Sequence, residues 1–525
     1  MFDLVETNYT GGDDSGSAVT HLALRIWRNR PQYRFEGRIH EQKTGNMPTY
    51  LPERLGHTGV RMLHYGYLKS RIGAKDKSTR NIELLQQEVR ESPKPFALFN
   101  LASEYMVLGR WVEARELFDR AWVDVRLEED WRAIGYVPLL APRMVTCRRE
   151  TGKLAEARVG ARQALLAYPD HTDVALQLAL VERGTGNLDE ARRIAERCLE
   201  MGDAPAAYSA VVGSGTYLAL CLLGELATAR GELEEAEELF RRSLRDYPHY
   251  VSPILPLAVT MLRRGATPAE VLAEVPEGKP SALLLAATAC FEAGHAEEPE
   301  TWFRTVLERQ PANAVARLGR AESLIALKRY AEAADESALA LDSALGPQAA
   351  SVRLFALAAA QDARGLRAAL ASAFAAGMTA HEAQIFGAWA AVIEGAPLPR
   401  TLPADAAATA LLGLDALLRV QDFEVFEQLA GLYQATLAPA RQKVEDLARL
   451  YLRRGFLESA ADEWLPFAQR GGDAKAFVGL AQVAFAKGLH EDALGLAREA
   501  LRLDPGSVEP QRLVRSLESR IATAA

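Results

Sequence analysis

The sequence is short of the residues and patterns that announce most chemistry. Its 525 residues hold four cysteines, Cys147, Cys198, Cys221 and Cys290, scattered with no C-x-x-C spacing. That excludes a disulfide frame or a zinc site as the organising element and leaves these thiols a packing role. No apolar run approaches the roughly 20 residues a membrane span needs; the longest, ALLLAATACF and AATALLGLDALL, stop well short. The first residues, MFDLVETNYTGGDDSGSAVT, lack the basic start and continuous apolar stretch of a secretory leader. A cytoplasmic protein with no membrane span and no nucleic-acid partner is the expectation.

The net charge is −8, but it is unevenly spread. Residues 1–90 hold fourteen Lys and Arg against ten Asp and Glu, a net of +4, so the remainder carries −12. The basic excess lies in 21–43 and 61–80. Such a patch suits an anion such as a phosphate, although a solvated face explains the charge equally simply.

What the chain has in abundance is repetition. Gly152 is followed by Leu154, Ala157, Ala161, Ala164 and Pro169, and Gly231 by Leu233, Ala236, Phe240, Ser243 and Pro248. The offsets are +2, +5, +9, +12 and +17 in both. Gly488 repeats the series with Ala493, Ala497, Ala500 and Pro505, Gly294 with Phe303, Val306 and Pro311, and Gly109 with Trp111, Ala114, Phe118 and Ala121. Gly186, Lys328 and Gly455 head further copies. These residues resemble the tetratricopeptide repeat, a helix pair of about 34 residues.

The physics of the pattern is coherent. A glycine after the first helix permits a left-handed stop, the +5 alanine lets two helices approach, the +9 aromatic fills the gap between them, and proline ends the second helix. Each pair leaves an apolar face that only a neighbouring pair covers. Spacings of 34 (152 to 186), 34 (294 to 328) and 33 (455 to 488) are regular, whereas 43, 45 and 63 elsewhere imply lengthened or decayed repeats. Residues 341–450 are helical and rich in Ala and Leu but have no readable phase, and GAPLPRTLPAD (395–405) is expected to be a loop.

The beginning of the chain differs. HLALRIWR (21–28) suits a strand, RNRP turns, and YRFEGRIHE is extended with Gly37 as pivot. GVRMLHYGYL (59–68) suits a second strand, with His64 and Tyr67 expected to pin it to the first helix and Trp27 expected to pack. KDKSTRNIELLQQEVRESP (75–93) is an amphipathic helix with Ile82, Leu85 and Val89 on one face.

Taken in order, RIWRNRPQYRFEGRIHEQ, LHYGY and KSTRNIELLQQEVRESPKPFALFNLASEYMVLGRWVEARELF resemble the carboxy-terminal end of family 2 glycosyltransferase domains that run into tetratricopeptide repeats. The resemblance covers about residues 1–120. It implies a GT-A type α/β sheet that binds a sugar nucleotide and a divalent metal. The nucleotide-binding half with its Asp-x-Asp motif, which would precede these segments, is absent; Asp13-Asp14 in GGDDSG reads as a turn. The resemblance implies Glu41 as catalytic base, His40 as metal ligand, and Arg28 and Arg38 as neutralisers of diphosphate charge. A turn histidine capping backbone groups is the plain alternative for His40.

The expected fold is therefore mostly α: a tetratricopeptide-like helical solenoid with a small α/β remnant of a GT-A domain at its amino terminus. The expected bounds are 1–75 for the partial glycosyltransferase segment, 76–340 for the repeat array, 341–450 for degenerate helical repeats and 451–525 for the last repeats. The expected function is the carboxy-terminal part of a family 2 glycosyltransferase, inactive alone, whose repeats bind an acceptor protein or join two copies. The alternative is a non-enzymatic repeat scaffold. No cofactor is expected in this chain; Mg or Mn and a sugar nucleotide would come with the missing half. A covered sheet edge near residues 1–30 favours an amino-terminal cap, and an open one favours a missing neighbour.

Overall fold

The glycines that mark the ends of first helices adopt the conformation the repeat requires. Gly109, Gly152, Gly186, Gly231, Gly294, Gly455 and Gly488 all have φ between 71° and 101°, and Lys328 takes the same role at 57°. The structure is a computed structural model that describes residues 2–11, 17–31, 33, 56–68, 77–507, 509–511, 513–514 and 517–518. The chain divides into two units, Met1–Gly294 and His295–Ala525.

Unit one starts with a four-stranded sheet ordered β3-β1-β2-β4, from β1 (Phe2–Gly11), β2 (Ser17–Ile26), β3 (Gly56–Leu68) and β4 (Ala210–Val211). β1 is central, antiparallel to β2 and parallel to β3. The strands expected near 21–28 and 59–68 are present, somewhat shifted and lengthened, and β1 is an additional strand. β4 comes from deep inside the repeats and pairs antiparallel with Val19 and Thr20 of β2.

The helices follow as α1 (Lys77–Glu91), α2 (Pro95–Val107), α3 (Trp111–Val125), α4 (Val137–Glu150), α5 (Leu154–Ala167), α6 (Thr172–Gly184), α7 (Leu188–Met201), α8 (Tyr217–Arg230), α9 (Leu233–Asp246), α10 (Ile254–Arg263), α11 (Pro268–Ala273) and α12 (Pro280–Glu292). Ile82 and Leu85 of α1 are buried and Val89 packs on the same core, as the helical periodicity predicts. The long spacings have distinct causes. The 43-residue interval holds a short 3-10 turn at Trp131–Ala133, and the 45-residue one holds β4. The 63-residue interval conceals another repeat, whose stop is Gly265 at φ 92° and whose second helix α11 is one short turn and a half.

Within this unit the first helices of successive pairs, α2, α4, α6 and α8, pack directly on one another, which makes theirs the inner face. The second helices α3, α5, α7 and α9 bury their +5 alanines completely (Ala114, Ala157, Ala191, Ala236). A buried carboxylate strengthens one such joint: Glu182 of α6 accepts two hydrogen bonds of 2.7 Å from Arg158 of α5 and one of 2.8 Å from Asn187.

Unit two contains α13 (Glu297–Arg309), α14 (Ala314–Ala326), α15 (Tyr330–Ala338), α16 (Gly346–Ala359), α17 (Ala363–Ala375), α18 (Ala380–Ile393), α19 (Ala406–Val420), α20 (Phe423–Gln434), α21 (Ala440–Arg453), α22 (Leu457–Gln469), α23 (Ala474–Ala486) and α24 (His490–Leu503). Residues 395–405 form the expected loop, and Leu402 makes an isolated parallel bridge with Thr436. The stretch without readable phase consists of helix pairs whose left-handed stops are Gln361 (φ 58°) and Gln421 (φ 53°). It also folds back on the preceding repeat. The Tyr330 hydroxyl donates to Asp422 at 2.6 Å, Lys328 donates to the Gln421 carbonyl at 3.4 Å, and one core runs from Leu324 to Leu450.

The closeness of the helices is set by small residues facing aromatics. A Cβ on Gly224 of α8 would lie 2.6 Å from the Phe240 ring of α9, so Gly224→Ala should destabilise the α8–α9 pair by about 1–3 kcal/mol through overpacking. Gly495 of α24 has open space around it, and Gly495→Ala should stabilise its helix by up to ~1 kcal/mol. Native-state hydrogen exchange of the two helix pairs distinguishes the opposite signs.

Candidate functional site

Two groups of functional side chains meet around the sheet, and both follow from where the strands sit. The first is a polar chain across β2, β1 and β3. Alternation along β1 puts Glu6 and Asn8 on one face, and the register sets Glu6 opposite His21 and Asn8 opposite His64. His64 Nδ1–H donates to Asn8 Oδ1 at 2.6 Å, and Asn8 Nδ2–H donates to His21 Nδ1 at 3.2 Å. His21 Nε2 then lies 4.0 Å from the buried Glu6 carboxylate, which accepts 2.7 Å from Arg25. Burial holds the His21 pKa below its ordinary value, Glu6 opposes this, and Arg25 and His64 add to it. Where the sequence leads one to expect His64 to pin its strand to the first helix, its bond to Asn8 runs to the central strand.

The second group is the clasp that carries β4. Asp173, in the first turn of α6, accepts the Val211 N–H at 2.7 Å through Oδ2, while its buried Oδ1 has no hydrogen-bond partner among the described residues. Asp203 accepts the N–H groups of Gly213 at 2.9 Å and Gly215 at 2.8 Å, and the Thr172 hydroxyl donates to the Gly202 carbonyl at 2.6 Å. Beside the clasp, His171 donates from Nε2 to the Pro138 carbonyl at 2.8 Å and stacks tilted against Tyr208. Tyr208 in turn packs on Tyr168 and donates to Asp170 at 2.8 Å. The sheet is thereby joined to three successive repeats through backbone and side chain together.

On the inner face, Arg143 of α4 donates to the Ser103 hydroxyl of α2 at 2.6 Å, and Arg183 of α6 pairs with Glu225 of α8. Arg149 Nε of α4 and Gln177 Oε1 of α6 are buried with no hydrogen-bond partner among the described residues. Orphaned donors and acceptors are uncommon in folded proteins, and a guanidinium N–H and an amide carbonyl are the donor and acceptor types that a peptide group complements.

Of the residues implied by the glycosyltransferase resemblance, Arg28 is exposed just beyond β2. Arg38, His40 and Glu41 lie outside the described residues, as does Asp13-Asp14. Of the four implied residues, Arg28 alone is among those the structure describes. No group of His, Cys, Asp or Glu among the described residues is arranged to hold a metal ion. The four cysteines are free thiols, buried except for the partly buried Cys221. No described helix is long and apolar enough to cross a membrane. Sequence reading missed Glu6, Asn8 and Asp173. The first two sit in a stretch whose strand character depends on its neighbours, and the third looks like an ordinary helix-start acid.

Burial raises the Asp173 pKa from 3.8 to about 6, against the hydrogen bond from Val211 N–H, with Asp203 adding to the rise. A carboxyl group with a raised folded-state pKa penalises the fold above that pKa and not below the unfolded value. Stability from this group therefore falls as pH rises from about 4 to about 6. Asp173→Asn keeps an acceptor for Val211 N–H. It should remove that slope and stabilise the clasp at neutral pH by up to ~3 kcal/mol. Hydrogen exchange at the amide of Val211 across this pH range measures it.

A family model for the tetratricopeptide repeat matches residues 200–251 and 445–508, which include α8, α9, the greater part of α21 and all of α22, α23 and α24. Among solved structures the chain is similar to yeast Tom70, with 14% identity over 82% of this chain and 96% of that one and a TM-score of 0.29. It is also similar to a tetratricopeptide repeat protein from Parabacteroides merdae, with 17% identity over 56% and 98% of the two chains and a TM-score of 0.31. Pseudomonas aeruginosa pilF gives 16% identity over 47% and 96%, at 0.28. These overlaps are below those of a shared arrangement. No curated protein matches the chain. The family model and the stops at Gly231, Gly455 and Gly488 agree on what the helices are: the chain carries tetratricopeptide repeats.

Proposed function

We propose that this chain is a protein-binding repeat scaffold whose inner face takes an extended segment of another protein, with the amino-terminal sheet serving as part of the scaffold. The observation that carries the reading is the pair of orphaned groups on neighbouring inner helices, Arg149 Nε and Gln177 Oε1. A peptide backbone presents an acceptor and a donor at every residue and satisfies both without regard to its sequence. The sheet supports the same reading, because β4 from within the repeats covers part of the β2 edge at Val19 and Thr20.

Because Gln177 Oε1 has no partner in the free chain, Gln177→Met should leave stability within ~0.5 kcal/mol or raise it, while weakening partner binding several-fold. The binding measurement uses a photo-reactive residue at Leu180 on α6 and a control at Glu200 on α7. Protein adducts at 180 and not at 200 are expected. Equal labelling at both positions overturns the inner-face reading.

The second reading, an acceptor-side segment of a family 2 glycosyltransferase, is supported by the order of RNRP, IHE, HYGY and RNIELL, and by a parallel β1–β3 pair of the kind α/β domains use. In it Glu41 is the base, His40 the metal ligand, and Arg28 and Arg38 contact diphosphate. The protein alone is expected to give no tight heat signal with sugar nucleotides and Mn²⁺ in titration calorimetry. Micromolar binding would reinstate an enzymatic role.

A further inference from the structure

The outer face of the first two repeats carries larger aliphatic side chains where several other repeats carry charge. Counted from the stop residue, position +14 lies at or near the end of the second helix. It is charged in Glu200, Arg245, Glu308, Asp342 and Arg502 and small or amide in Ala375, Ala435 and Gln469, whereas it is the larger aliphatic Val123 on α3 and Leu166 on α5. Leu166 is 83% exposed and Val123 61%, and next to them Leu127 is 83% and Val159 55% exposed. The Arg126 guanidinium reaches Gln163 Oε1 at 3.4 Å, so the outer rows of α3 and α5 are neighbours. Four exposed aliphatic side chains on adjoining rows are an apolar patch of the kind that soluble proteins cover.

Charge around the patch indicates what covers it. Arg126 lies 5.7 Å and 5.8 Å from the Trp122 and Trp131 rings, and Arg162 reaches Glu182 only at 3.7 Å. Glu128, Glu129 and Asp130 stand on the adjoining turn, all exposed, and none of them forms a salt bridge among the described residues. The patch thus carries exposed acids two to four residues along the chain from the exposed Arg126. A two-fold interface suits this composition, because Arg126 and the acids of one copy can each meet their complement on the same surface of the other. A foreign partner of one charge sign would be repelled by half of it.

We propose that the outer face of α3 and α5 is a self-association surface through which two copies of this chain pair about a two-fold axis. Leu127 and Leu166 supply the desolvated centre, and Arg126 meets the acids of the opposite turn. This surface is separate from the inner face, so loss of peptide binding leaves the pairing unaffected, and loss of pairing leaves the inner face intact.

Sedimentation of the full chain across a thousandfold concentration range tests it. The wild-type chain should pass from monomer to dimer, and the double variant Leu127→Asp with Leu166→Asp should stay monomeric with unchanged far-ultraviolet circular dichroism. Leu339→Asp, which charges an equally conspicuous leucine of unit two that is 66% exposed, should dimerise like the wild type. Arg126→Glu should weaken the dimer at least about tenfold, and adding Glu129→Arg to it should restore most of the loss, which a merely sticky patch would not do. A wild-type chain that is monomeric throughout, a dimer that survives the double variant, or failure of the charge swap overturns the proposal.

Discussion

Everything in this molecule depends on how closely the two helices of a pair approach. A helix pair with ordinary side chains at its crossing separates by a distance that leaves no shared core with the next pair. Here the +5 positions Ala114, Ala157, Ala191, Ala236, Ala333, Ala460 and Ala493 are completely buried, and glycines such as Gly224, Gly319 and Gly479 lie against Phe240, Phe303 and Trp464. One small and one large surface interlock at each crossing, so packing density is kept while the axes draw together. The left-handed stop residue places the second helix where this interlock is possible.

That dependence explains which parts of the fold could be read from the sequence. Where the stop is glycine and the +5 residue alanine, local chemistry and tertiary packing ask for the same residues, and the repeats are legible at a glance. From Gln361 to Gln421 they diverge. The left-handed residue is a glutamine, an uncommon occupant of that region, and Leu366 and Phe426 stand at +5 where alanine would mark the repeat. The geometry persists with different residues because this stretch also packs back against α14 and α15, and contacts of that range leave no local period. Gly265 was missed for a related reason: its second helix, α11, is too short to carry the +9 and +12 signals.

The sheet shows a second limit of legibility. β2 and β3 announce themselves by alternation, but β1 contains Asp3, Glu6, Asn8 and Thr10, which read as a polar loop until Arg25, His21, His64 and His57 are brought opposite them. β4 is two residues, Ala210 and Val211, whose strand character exists only in its pairing with Val19 and Thr20. Of the residues implied by the glycosyltransferase resemblance, only Arg28 falls within the described residues, so that part of the candidate site rests on motif order alone.

The clasp has a consequence for how the two kinds of structure behave as one. A repeat array responds to load locally, because each pair is held only by its neighbours. The sheet changes this within the first unit, since β2 is bonded to β4, β4 is held by Asp173 of α6, and the flanking Tyr208 and His171 reach back to Tyr168 and to the Pro138 carbonyl of α4. Opening the joint between α4 and α6 must therefore disturb the sheet, and displacing the sheet must disturb that joint. Arg149 and Gln177 sit at this same joint with unsatisfied atoms. The joint between α4 and α6 is thus the place where the repeat array and the sheet share contacts.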